Sequence, residues 1–157
     1  MATNQPLPKA GTVFLSVRES DKDQAVGIAS ELLDLGYSVY CTSGTHRHLA
    51  ERGIHTKLLN KIVEGRPNAV DLIKNGEIDL IINTPTRKGA GTDEGKLRAT
   101  AVRNGVPMIT TTTAGVAAAQ AMRAMRRGDW AVAALQDYFP AEDVDAPNGD
   151  TVLSGSR

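Results

Sequence analysis

The run Thr42-Ser43-Gly44-Thr45 puts three hydroxyls and a glycine directly after a short apolar stretch. Hydroxyls donate to phosphate oxygens, and a glycine lets a ligand come close to the backbone. If a helix opens here, its first N–H groups lack partners within the helix and point at an anion. Lys22 and Lys61 could add the charge that a phosphate dianion needs. The plain alternative is that Thr42 or Ser43 caps a helix and both lysines are solvated. Short polar side chains also follow the other apolar runs: Ser16, Asn60, Asn83-Thr84 and the string Thr110-Thr111-Thr112-Thr113.

Other motifs fail on spacing. The stretch from Gly89 to Gly95 resembles a dinucleotide loop but has one residue too many between its last two glycines. It reads as a flexible loop. Gly95-Lys96 continues with Leu97 and lacks the upstream glycine of a P-loop. His46 and His48, two apart on a helix, point to different sides, which is poor metal geometry. His55 is isolated, and Cys41 ends a buried strand as a core residue. No metal and no cofactor are expected.

Those residues need a scaffold. Short apolar runs occur at Val13–Val17, Tyr37–Cys41, Thr56–Leu59, Leu80–Ile82 and Met108–Ile109, as expected for strands buried on both faces. Between them lie amphipathic stretches. Ser20 is expected to cap the first helix, with Asp23 in its first turn and Ala25, Ile28, Ala29, Leu32 and Leu33 on one face. Further helices are predicted over 45–52, 68–75, 93–104 and 113–127. Gly36, Gly53, Gly76, Gly105 and Gly128 close the five. A last short helix over 129–138 would pack Val132, Leu135 and Phe139, anchored by Trp130 and Tyr138. The alternation predicts an α/β fold: three-layer, Rossmann-like, with a five-stranded parallel sheet and helices on both faces. In such sheets ligands bind at the carboxyl ends of the strands, where the residues above collect. The expected organisation is a flexible segment over 1–10, a domain over 11–139, and a disordered acidic tail over 140–157.

Composition excludes several classes. The 157 residues suit one domain. Lys+Arg and Asp+Glu balance at 18 each, but the tail after Pro140 holds four acids and one base. The body therefore keeps 17 bases and 14 acids, a surplus of three. That suits a small anion and is too weak for nucleic acid. A single cysteine allows no internal disulfide and fits a reducing compartment. The N-terminal stretch is polar, and no apolar run approaches the roughly 20 residues of a membrane span. A cytoplasmic location and no membrane partner are expected.

Residues from about Gly11 to Met125 resemble the methylglyoxal-synthase-like domain. They are most similar to the C-terminal allosteric domain of carbamoyl-phosphate synthetase large chains. The matching stretches are Leu15-Ser16-Val17-Arg18-Glu19-Ser20-Asp21-Lys22, Thr42-Ser43-Gly44-Thr45, Asn60-Lys61-Ile62-Val63-Glu64-Gly65-Arg66-Pro67, Ile73-Lys74-Asn75-Gly76-Glu77 and Ile81-Ile82-Asn83-Thr84. The resemblance implies a regulatory domain, without catalysis of its own, that binds UMP and in some members IMP. It implies phosphate contacts from Lys22, Thr42, Thr45 and Lys61, within a cradle to which Ser43 and Gly44 also belong. The nucleoside side falls to Asn83, with Ser16, Thr84, Thr110 and Thr111. The implied partners are the rest of the large chain and its glutaminase small chain, and a homo-oligomer stays open. The implied pathway is carbamoyl phosphate synthesis for pyrimidines and arginine, from an excised domain or a separately encoded copy.

Two departures stand out. Where some members bind ornithine through Tyr-Asp-Thr-Thr, this chain has Met108-Ile109-Thr110-Thr111 and lacks the acid an amino group needs. Pro85 replaces the family's threonine after Asn-Thr. Three rival readings stand beside this one. The first is methylglyoxal synthase, whose His-Asp pair aligns with Arg18-Glu19 and whose catalytic aspartate aligns with Arg66. Arginine stays protonated and cannot be that base, although Glu19 could substitute. The second is the IMP cyclohydrolase domain, and the third an interaction module with a vestigial pocket.

Overall fold

A computed structural model describes residues 11–85 and 93–126. Five strands alternate with five helices: β1 (Thr12–Ser16), α1 (Lys22–Asp34), β2 (Ser38–Cys41), α2 (Ser43–Ala50), β3 (Lys57–Leu58), α3 (Ala69–Lys74), β4 (Leu80–Asn83), α4 (Asp93–Arg103), β5 (Met108–Ile109) and α5 (Thr112–Arg126). All pairings are parallel, in the order β3-β2-β1-β4-β5. The expected five-stranded parallel sheet is present.

The sheet separates two apolar cores. Val13 and Leu15 of β1 with Leu80 and Ile82 of β4 face α1, α2 and α5. Phe14 and Ile81, the intervening positions, face α3 and α4 through Leu72, Ile73, Leu97 and Ala101. Consecutive apolar residues in β1 and β4 are thus all buried, each alternate one in a different layer. α5 lies close to α1: a Cβ on Gly115 would stand 3.0 Å from Ile28 and 3.3 Å from Ile82. Arg123 of α5 also bonds Glu31 of α1.

Gly36, Gly53, Gly76 and Gly105 close their helices with φ between +68° and +92°, a conformation that only glycine adopts at little cost. The predicted Gly128 ending, the helix over 129–138 with its Trp130 and Tyr138 anchors, and both terminal segments lie outside the described residues. Most of the loop from Gly89 to Gly95 does too, while Gly95 and Lys96 belong to α4.

Two starts differ from expectation. Ser20 does not cap α1; it sits inside a 3-10 turn over Glu19–Asp21, so α1 begins only at Lys22. α2 begins at Ser43, two residues earlier than predicted, because Thr42 is extended at its N-cap. A second 3-10 turn, Ile62–Glu64, was not anticipated. Asn68, the expected first residue of the third helix, stands just ahead of α3 as its N-cap. It is buried, accepts from the Val70 and Asp71 amides, and donates to the Gly65 carbonyl.

Asp71 returns the capping bond to the Asn68 amide and receives Arg66 at 2.9 Å. The Arg66 guanidinium, with that amide, holds the Asp71 carboxyl below its usual range. The stabilisation this gives is present above the unfolded-state value of about 4 and lost as pH falls through the lower folded-state value. Asn68→Ala is expected to cost about 1–2 kcal/mol in urea unfolding. For Asp71→Asn the loss seen at neutral pH should shrink towards zero in the most acidic buffers that still support folding.

Candidate functional site

The strand order reverses between β1 and β4. The connections leaving these two strands diverge, so a crevice must open at their carboxyl ends. Ser16 and Asn83 are register partners there. The crevice is a cleft of about 580 Å³, lined among others by Ser16, Lys22, Thr42, Gly44, Thr45 and Lys61, with Asn83 and Thr84 opposite. That volume is within the ~300–1,000 Å³ typical of small-molecule sites.

Hydrogen bonds join the start of α2 to the exit of β1. The Val17 amide donates to Thr45 Oγ1 at 3.2 Å, and the Ser16 and Thr42 hydroxyls pair at 3.0 Å. Because Thr42 is engaged with Ser16, its side chain does not cap α2. The first amides of α2 therefore keep their donor capacity at the cleft wall. α3 differs, since Asn68 caps its opening amides.

Lys22 reaches the same place. Its Nζ donates to the Val17 carbonyl at 2.9 Å. A Cβ on Gly44 would stand 3.7 Å from that nitrogen, so the ammonium sits beside the first turn of α2. The Lys22 side chain is only 11% exposed, and its carboxylate neighbour, Glu19, is 3.7 Å away and 88% exposed. A largely buried ammonium with one carbonyl bond and one loose, solvated counter-charge is only partly compensated. It adds to the positive end of the α2 dipole. Lys61, at the exit of β3, is exposed and makes no ion pair among the described residues.

Across the cleft, Thr84 Oγ1 accepts from the Arg18 amide at 2.8 Å. Asn83 is 6% exposed, and its Nδ2 is the only buried side-chain nitrogen or oxygen among the described residues without a hydrogen-bond partner. An orphaned buried donor costs about 1–3 kcal/mol. It lies where the sheet's two halves part.

Three predicted residues are elsewhere. Ser43 is the first residue of α2 and does not line the cleft. Thr110 and Thr111 follow the edge strand β5, on the far side of β4 from β1, and do not line it either. Thr111 Oγ1 instead accepts from the Ala114 amide at the start of α5. The sequence reading missed the apolar wall of Phe14, Ala69 and Leu97, and the acids Asp93 and Glu94. Strand alternation could have found Phe14, because it faces away from Leu15. The acids follow a loop whose length hid their position.

The remaining residues of interest have structural partners. His46 Nδ1 meets Thr56 at 3.0 Å, and His48 Nε2 meets Asp23 at 3.1 Å, so the two rings face different neighbours as expected. Cys41 is fully buried, and burial pushes its thiol up to about 12. Arg66 is tied to Asp71, and Arg18 to Asp21 at 2.9 Å. Among the described residues no helix is long and apolar enough to cross a membrane.

Residues 24–110 match the family model of the MGS-like domain. The carbamoyl phosphate synthase large chain of Rhodopirellula baltica is 43% identical over 139 residues, covering 88% of this chain and 13% of that protein. The C-terminal section of the carbamoyl phosphate synthase large chain of Aquifex aeolicus is 42% identical over 121 residues, covering 77% of this chain and 22% of that one. The chain thus spans a small fraction of the length of these relatives. The methylglyoxal synthase of Elizabethkingia anophelis has the same fold, with a TM-score of 0.57 at 19% identity over 72% of this chain and 78% of the other. A match over more than half of the chain, on a five-stranded parallel sheet, shows that this chain belongs to the MGS-like domain family.

Proposed function

We propose that this chain is the effector-binding domain of a carbamoyl phosphate synthase large chain. In this reading it binds a nucleoside monophosphate, UMP or IMP, and so regulates carbamoyl phosphate synthesis for pyrimidine and arginine production. The observation that carries the reading is the buried, under-compensated ammonium of Lys22 beside the uncapped start of α2. A phosphate there would accept from Lys22, from the α2 amides and from the Thr42 and Thr45 hydroxyls, with Lys61 closing over it. The nucleoside would extend towards Ser16, Asn83 and Thr84, where the orphaned Asn83 amide supplies a donor. Asp93 and Glu94 on the cleft wall disfavour a second phosphate. The ligand would act on the rest of the large chain and its glutaminase partner through its difference in affinity for two states, typically about 1–3 kcal/mol of coupling.

The enzymatic rival needs a carboxylate base beside the substrate. Glu19 is the candidate because it lines the cleft, but its carboxylate is solvated and loosely paired with Lys22. Turnover of dihydroxyacetone phosphate to methylglyoxal that Glu19→Gln abolishes would establish that activity. No turnover is expected.

Titration calorimetry of the intact chain with UMP and IMP should show saturable binding, with uridine far weaker. No heat with either nucleotide at millimolar concentration would leave a vestigial pocket. Lys61→Ala is expected to weaken UMP about tenfold or more while changing uridine binding little, since its partner is the phosphate. Equal losses would count against that assignment. Asn83→Leu removes the orphaned donor, so it should raise unfolding stability by about 1 kcal/mol while weakening nucleotide binding. A stability loss would show that the Asn83 amide is satisfied in the free protein.

A further inference from the structure

Three carboxylates, those of Glu19, Asp21 and Asp23, lie close to Lys22 in the chain. Two of them are committed elsewhere. Asp21 holds the Arg18 guanidinium at 2.9 Å. Asp23 meets His48 at 3.1 Å and Arg52 at 3.6 Å. Neither acid lines the cleft. Glu19 does line it, and its one ion pair among the described residues is with Lys22, at 3.7 Å.

The backbone dictates this pairing. Glu19 opens the 3-10 turn Glu19–Asp21, and Lys22 follows as its C-cap. In a 3-10 turn, side chains three residues apart project to the same side. The Glu19 carboxylate is thereby brought to the ammonium that the Val17 carbonyl holds at 2.9 Å. The contact is long for a charge-assisted bond, which closes to about 2.7–2.9 Å. Glu19 is also 88% exposed, so its carboxylate is well hydrated and leaves the ammonium at small cost. Lys22, only 11% exposed, keeps its place beside the first turn of α2. A phosphate that reaches this ammonium arrives where a carboxylate already stands, and two anions a few ångströms apart repel.

We propose that Glu19 is a tethered competitor for the anion site: its carboxylate pairs with Lys22 in the free protein and swings into solvent when a phosphate binds. The inference rests on the phosphate-binding reading above and adds to it a residue that sets the affinity. In the free chain the carboxylate offsets part of the charge of a largely buried ammonium. In the bound chain the phosphate takes over that task, so binding exchanges one anion for another. The exchange raises the ligand concentration at which the site fills and leaves recognition of the nucleoside end untouched.

Calorimetry of the intact chain with UMP and with inorganic phosphate tests this. Glu19→Gln and Glu19→Ala should each tighten both ligands about three- to tenfold at low salt, the scale of a solvated charge pair. The gain should shrink towards none near about 1 M salt, where charges are screened beyond a few ångströms. Uridine, which has no phosphate, should be unaffected. Glu77→Gln removes the same charge from an exposed site before β4, at the opposite edge of the sheet, and should change nothing. An equal gain with Glu77→Gln would overturn the proposal, because net charge would then account for it. A gain with Gln and none with Ala would also overturn it, by assigning the effect to the new side-chain amide. Saturable UMP binding that neither Glu19 variant tightens would remove the competitor and leave the nucleotide reading standing. Tighter phosphate binding in both variants, with no UMP binding in any form, would do the reverse. No binding of either ligand in any form would remove both.

Discussion

The reversal of strand order between β1 and β4 is the constraint from which the site follows. Their neighbours diverge to either side, leaving Ser16 and Asn83 paired at the carboxyl edge of the sheet. The polar groups of Thr42, Thr45 and Lys22 bond at the β1 side of that point. Val17, one residue beyond β1, offers its amide to Thr45 and its carbonyl to Lys22. One backbone unit thus fixes both the start of α2 and the cation beside it. Substitutions at Val17's neighbours would disturb the two together, since the bonds share a single peptide strand.

The same edge contains the groups that folding alone does not favour. Lys22 is nearly buried with little counter-charge, and the Asn83 amide has no partner. Both cost stability in the free protein, against a background of two well-packed cores in which large side chains such as Leu15, Ile28, Ile81 and Ile82 are fully buried. Among the described residues, the under-compensated cation and the one unpaired buried side-chain nitrogen thus both lie in the cleft proposed above as the ligand site.

Much of this was legible in the sequence. The apolar runs and the helix-closing glycines fixed the alternation, because both reflect local preferences: burial on two faces for the strands and a left-handed residue at each helix end. The exit residues of β1, β2 and β4 were legible for the same reason, since an exit is adjacent to its strand. What was not legible depended on neighbours far away in sequence. Ser20 looked like a cap because the 3-10 turn ahead of α1 is held by long-range contacts, including the bond from the Arg18 amide to Thr84. Thr110 and Thr111 fall outside the cleft because their strand lies at the sheet edge, a property of topology that no local pattern encodes. The burial of Lys22 and the orphaning of Asn83 likewise arise only when β1, α2 and β4 come together.

Nucleotide binding in this cleft requires an anion between Lys22 and the first turn of α2. Amide shift mapping of the intact chain titrated with UMP tests it directly. The largest changes should fall on the Ser43, Gly44 and Thr45 amides and on the Asn83 side-chain amide, and those of residues 111–115 should stay small. Saturable shifts centred on the start of α5 instead, with the α2 amides unmoved, would contradict the account.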